Sequence, residues 1–108
     1  MTTITFERFA DGNYKGFICK GHAEFAKDGD PDILCAAISA LTESTINALE
    51  ELAHEKLDYE VKDGFLKCDF NCKLQEKSVF LVETLVFSLK QLEKKYGKKY
   101  IKVNFKEV

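Results

Sequence analysis

Two Asp-Gly steps, Asp11-Gly12 and Asp63-Gly64, each stand between runs in which apolar and polar residues alternate, and this commits much of the chain to two β-hairpins. Thr3 to Phe9 places Ile4 and Phe6 on one face and Thr3, Thr5 and Glu7 on the other. Tyr14 to Gly21 runs back as the second arm, with Phe17 and Cys19 sharing one face and Ile18 and Lys20 the other. If that strand continues, His22 points away from Cys19. In the second hairpin Leu57, Tyr59 and Val61 alternate with charged residues before the turn, and Leu66, Cys68 and Phe70 alternate after it.

Two longer runs have a helical period. Leu34, Ile38, Leu41, Thr45, Leu49 and Leu52 recur every three or four residues, giving a helix that reaches about His54. Val82, Leu85, Leu89, Leu92 and Tyr96 form a second stripe that stops at Gly97, a residue suited to the end of a helix. A last alternating run, Tyr100 to Phe105, places Ile101, Val103 and Phe105 together. The order is ββαββαβ. Burying each apolar face once gives an α+β fold, a two-layer sandwich of a five-stranded mixed sheet and two helices, whose strand order stays open. With 108 residues, 45% of them hydrophobic and 31% charged, the expectation is one folded domain spanning residues 1–108.

The opening residues lack the basic and apolar regions of a signal peptide, and no run approaches a membrane span in length. Four cysteines in that context read as reduced thiols, so a cytoplasmic location is expected. A net charge of -2 argues against a protein that coats nucleic acid. Lys90, Lys94, Lys95, Lys98, Lys99, Lys102 and Lys106 nevertheless crowd the end of the chain. They read either as a face toward RNA or a ribosomal surface, or, as favoured here, as complements to a helix C-terminus and a solvated strand.

Between the first hairpin and the first helix lies the stretch GHAEFAKDGDPDILCAAIS. Ala23 to Pro31 has no apolar period, and Lys27-Asp28-Gly29-Asp30-Pro31 collects loop-forming residues, which predicts a mobile connection. Asp30 with Pro31 at the first helical position, or Asp32 ahead of Ile33, caps the helix. In either register Cys35 lies near the helix start, where unpaired amides and the positive end of the dipole favour a thiolate. His22, at the strand end that feeds the loop, is placed to act as base and acid, and the helix amides could receive an oxyanion. Ser39, four residues after Cys35, shares its face, and Ala36, Ala37, Ser39 and Ala40 are small enough to admit another backbone.

Each of these residues also has a purely structural explanation. Cys35 fits a buried helix position, His22 a polar strand end, and Asp30 or Asp32 a cap alone. A zinc site built from Cys19, His22, Cys68 and Cys72 is disfavoured by strand parity, and no metal is expected. The sequence also has no phosphate-cradling glycine loop, and no cofactor is expected.

The combined motif Gly21-His22-Ala23, a loop with Gly29, and Asp32-Ile33-Leu34-Cys35-Ala36-Ala37-Ile38-Ser39-Ala40 resembles the ribosomal-processing cysteine protease family of bacteria. The resemblance covers the whole chain in length and element order. It implies a cytoplasmic, homodimeric endopeptidase that needs no membrane or nucleic acid partner. Its implied substrate is a precursor of the twenty-seventh large-subunit ribosomal protein, from which it removes an N-terminal extension after an aromatic residue. By position, Cys35 becomes the nucleophile and His22 its base and acid, with Gly21, Ala23, Asp32 and Ser39 in supporting places. The loop from Ala23 to Pro31 then corresponds to a segment that moves to admit substrate. Glu24 departs from the small residue or aspartate usual after Gly-His-Ala. The contrasting readings are a non-catalytic ribosome-associated binding module and a thiol redox sensor.

Overall fold

The computed structural model describes residues 1–27 and 29–108. Five strands and two helices occur in the expected order: β1 Thr2–Arg8, β2 Tyr14–Lys20, α1 Ile33–Glu51, β3 Leu57–Lys62, β4 Phe65–Phe70, α2 Glu76–Tyr96 and β5 Ile101–Glu107. They form one sheet in the order β3-β4-β2-β1-β5. Its only parallel pair among the described residues is β1 with β5, which makes the sheet mixed, and both Asp-Gly turns close antiparallel hairpins.

One face of the sheet carries the core. Ile4 and Phe6 of β1, Phe17 of β2, Cys68 of β4 and Ile101 of β5 are fully buried, together with Leu49 of α1 and Val82 and Leu89 of α2. Phe6 is central: its ring lies 5.5 Å from Phe17, 6.0 Å from Phe105 and 6.2 Å, edge-on, from Tyr14. Tyr14 reaches this face because the pairing register shifts between Glu7 and Arg8, so that Arg8 pairs with Tyr14 and Lys15 is the extra residue of a bulge.

The stripe on α1 runs differently from the expected one. Leu34, Ile38, Thr42, Ile46 and Leu49 are buried, whereas Leu52 is 74% exposed beyond the end of the helix. A 3.6-residue period carries the buried line through Thr42 and Ile46 rather than through Thr45 and Leu52. Thr42 is tolerated there because its hydroxyl donates to the Ile38 carbonyl at 2.9 Å. The small residues Ala36, Ser39 and Ala40 are exposed to solvent and admit no other backbone of this chain.

Tyr59 and Val61 share the core face, paired with Cys68 and Leu66, yet remain about half exposed because β3 is an edge strand. On α2, Lys94 and Lys95 occupy the last turn, as expected of charges that complement the dipole, and Gly97 caps it at φ 101°. Lys90, Lys95 and Lys99 also lie over the rings of Phe105, Tyr96 and Tyr100.

Candidate active site

The candidate residues converge where β2 ends and α1 begins, and a backbone feature brings them together. Gly21 has φ 93°, a conformation open to glycine but strained for residues with a Cβ, and it ends the strand at Lys20. The expected parity therefore stops before His22. Cys19 and His22 line the same cavity, of about 300 Å³, instead of pointing to opposite faces. Its walls also include Cys35, Ser39 and Thr42 from α1 and Val61, Asp63, Gly64 and Leu66 from the β3–β4 hairpin.

Of the two capping registers, the structure adopts Asp32. Its Oδ1 accepts hydrogen bonds from the backbone N–H of Leu34 at 3.1 Å and of Cys35 at 3.0 Å. Its Oδ2 accepts from Phe25 N–H at 3.0 Å, so one carboxylate ties the helix start to the preceding loop. Burial acts to raise the Asp32 carboxyl pKa, but the backbone N–H groups of Cys35, Phe25 and Ala26 and the Cys35 thiol outweigh it and hold the group below its ordinary value. The stabilisation from this group is therefore present above the unfolded carboxyl range and is lost as the pH falls through the lower folded value.

Three of the helix amides expected to receive an oxyanion have partners within the chain. Leu34 and Cys35 N–H are bound to Asp32 Oδ1, and Ala36 N–H is bound to the Asp32 carbonyl at 3.1 Å. The donor at the sulfur comes from the loop instead, where Ala23 N–H points to Cys35 Sγ at 3.2 Å. Ala23 itself is fully buried.

The first part of the loop is tied down as well. The Phe25 ring packs edge-on against Tyr96 at 5.0 Å and Tyr100 at 5.2 Å. Glu24 adopts φ 55°, which is unfavourable for a residue with a Cβ, and its carboxylate lies 3.8 Å from the N-terminal amine. The mobile connection expected over Ala23 to Pro31 is thus anchored at Ala23 and Phe25, and Asp28 lies outside the described residues.

Ser39 lies one helical turn beyond Cys35 on the cavity wall. His22 turns toward the β3–β4 hairpin: its Nε2 is 3.6 Å from Asp63 Oδ1. The contribution of Asp63 and Gly64 was hidden in the sequence, where they read only as a turn. Cys19, assigned to a strand face, also belongs to the cavity. Its thiol pKa is pushed up to about 11, first by burial and then by the nearby Cys35. Burial likewise pushes Cys68 up to about 12, with Asp69 adding to it.

Those two thiols are expected to resist iodoacetamide at about pH 8, since a pKa of about 11 leaves roughly one molecule in a thousand as thiolate. Exposed Cys72 should react under the same conditions, and denaturation should release all four. Peptide mapping by mass checks the pattern, and early labelling of Cys68 would contradict the packing described above. Among the described residues, no group of three His, Cys, Asp or Glu side chains could hold a metal ion. No helix in the described residues is long and apolar enough to cross a membrane.

Known proteins resemble the chain over most of its length. The ribosomal processing cysteine protease Prp of Bacillus subtilis is 30% identical over 102 residues, spanning 89% of this chain and 90% of that protein. The Staphylococcus aureus Prp is 27% identical, covering 98% of this chain and all of its own. A crystal structure of S. aureus Prp with a covalently linked product peptide superposes with a TM-score of 0.89, at 27% identity and over 98% of this chain and 100% of the other. Another, with a substrate peptide, gives 0.86 at 26% identity with the same coverage. The family described as cysteine protease Prp matches residues 1–102, and the chain belongs to that family of cysteine proteases.

Proposed function

We propose that the chain is an endopeptidase that removes an N-terminal extension from the twenty-seventh large-subunit ribosomal protein, with Cys35 as nucleophile and His22 as base and acid. The observation that carries this reading is the shared cavity. Two thiols, Cys19 and Cys35, and one imidazole line it, and a backbone N–H is directed at the Cys35 sulfur.

In this reading His22 takes the thiol proton, and the Cys35 thiolate attacks the scissile carbonyl carbon while the carbonyl electron pair moves to oxygen. Ala23 N–H stabilises the negative charge at the sulfur before attack. As the tetrahedral species collapses, the C–N bond breaks and the His22 imidazolium protonates the departing amine. A thioester remains. Neutral His22 then takes a proton from water, hydroxide adds to the thioester carbon, and the C–S bond breaks to return the thiolate.

The relatives named above are ribosomal processing proteases, and the solved complexes of the S. aureus protein contain a substrate and a product peptide, which supports a peptide in this cavity. The exposed apolar side chains Tyr59 and Val61 of β3, and Phe80 and Phe87 on α2, are surface that a second copy would cover, in keeping with a homodimer. A cytoplasmic site of action follows from the same resemblance.

Incubation of the purified chain with the extended ribosomal protein tests the function. Two products are expected whose masses sum to the substrate plus one water, with the cut after an aromatic residue. Cleavage elsewhere, or an intact substrate, would remove the assignment.

A further inference from the structure

Building on the cysteine protease reading, we propose that the β3–β4 turn is a third part of the catalytic arrangement. Gly64 forms a bare backbone seat for the His22 ring, and Asp63 is a positioning residue that holds the imidazole with Nε2 outward, leaving Nδ1 for Cys35.

Three observations meet at this turn. Gly21 N–H donates to the Gly64 carbonyl at 2.8 Å, so the turn is fastened to the residue directly before His22. A Cβ on Gly64 would lie 2.9 Å from His22 Nε2, 3.4 Å from Cδ2 and 3.5 Å from Cε1, so the ring edge rests where any side chain would begin. Asp63 Oδ1 lies 3.6 Å from the same Nε2.

The first two contacts restrain the ring by shape. The third favours, by charge, the tautomer with its proton on Nε2. With Nε2 committed to the turn, Nδ1 is the nitrogen free to exchange a proton with the thiol. Asp63 is 97% exposed, so water screens the pair in the free protein and Gly64 contributes more to placement. A peptide in the cavity would displace some of that water and strengthen the charge interaction when the imidazolium forms.

The test compares Gly64→Ala, Asp63→Ala and Gly12→Ala. Gly12 is also at positive φ, 91°, but a Cβ there meets nothing within 4 Å, so it reproduces backbone strain without touching His22. Three quantities are measured for each: kcat and KM on the extended substrate, the alkylation rate of Cys35 at fixed pH with the labelled site mapped, and the melting temperature.

Gly64→Ala should lower kcat about 10²-fold with KM within about twofold, and should slow Cys35 alkylation, since a displacement of about 1 Å has this scale of effect. Asp63→Ala should lower kcat about fivefold, the upper range for an exposed ion pair, without lowering the melting temperature. Gly12→Ala should cost stability only. The proposal is overturned if Gly64→Ala keeps kcat and the alkylation rate, or if Gly12→Ala loses as much of both. Should Gly64→Ala fail to fold, Asp63→Ala decides, and an unchanged kcat rejects the role of the turn. A wild-type chain that cleaves nothing, but whose Cys35 alkylation slows only in Gly64→Ala, would reject the proposed substrate while supporting the seat for His22.

Discussion

Replacing Cys35 by alanine is expected to lower kcat/KM on the extended ribosomal protein by at least about 10⁴-fold while leaving the fold intact. The covalent route needs a nucleophile at this position, and alanine removes it without disturbing the cap, since Asp32 accepts from the backbone N–H of residue 35 rather than depending on its side chain alone. The cavity walls formed by Ile38, Val61 and Leu66 remain, so the variant should still bind the uncleaved peptide. Serine at the same place should be nearly as inactive, because a hydroxyl ionises far less readily than a thiol. The measurement is product formation by mass, with peptide binding followed in parallel. Cleavage by the alanine variant within about tenfold of the wild-type rate would rule out Cys35 as nucleophile.

The elements were legible in the sequence because each carries its own period. The two hairpins could be read from alternation around Asp11-Gly12 and Asp63-Gly64, and the two helices from their apolar stripes. The Cys35 position near a helix start could also be read, since both candidate caps led to it. Three features depended on contacts distant in sequence or on local backbone geometry. Strand order places β4 beside β2, and only this pairing brings the Asp63-Gly64 turn to His22. The bulge at Lys15 returns Tyr14 to the core face, which period-2 counting through β2 would not do. The occupancy of the first helix amides depends on which aspartate folds back, and Asp32 does so because Phe25 N–H engages its second oxygen. The candidate residues were thus visible one by one. What joined His22 to Cys19 and Cys35 in one cavity was the bend at Gly21, because a glycine within an alternating run can either continue a strand or end it.

That bend makes Gly21→Ala the substitution expected to damage both stability and activity. At φ 93° an added Cβ is strained regardless of the available space. It would also collide with the Met1 carbonyl oxygen, a backbone atom that cannot rotate away as a side chain would. Thr2, next along, is held by its N–H to the Tyr100 carbonyl at 2.9 Å, so moving Met1 disturbs the start of β1 where it meets the segment before β5. Relief by changing φ instead would carry His22 away from the cavity and release Gly21 N–H from the Gly64 carbonyl. Together these effects should cost about 2–4 kcal/mol in urea denaturation and lower kcat/KM by about 10²-fold or more. Gly12→Ala again separates the contributions: it shares the positive φ and has no neighbour within 4 Å, so its cost should be about 1–2 kcal/mol with activity retained. If Gly21→Ala proves no more harmful than Gly12→Ala in both measurements, the close approach to Met1 and the placement of His22 by this residue are refuted together. If stability falls while kcat/KM holds, the bend supports the sheet without placing the imidazole.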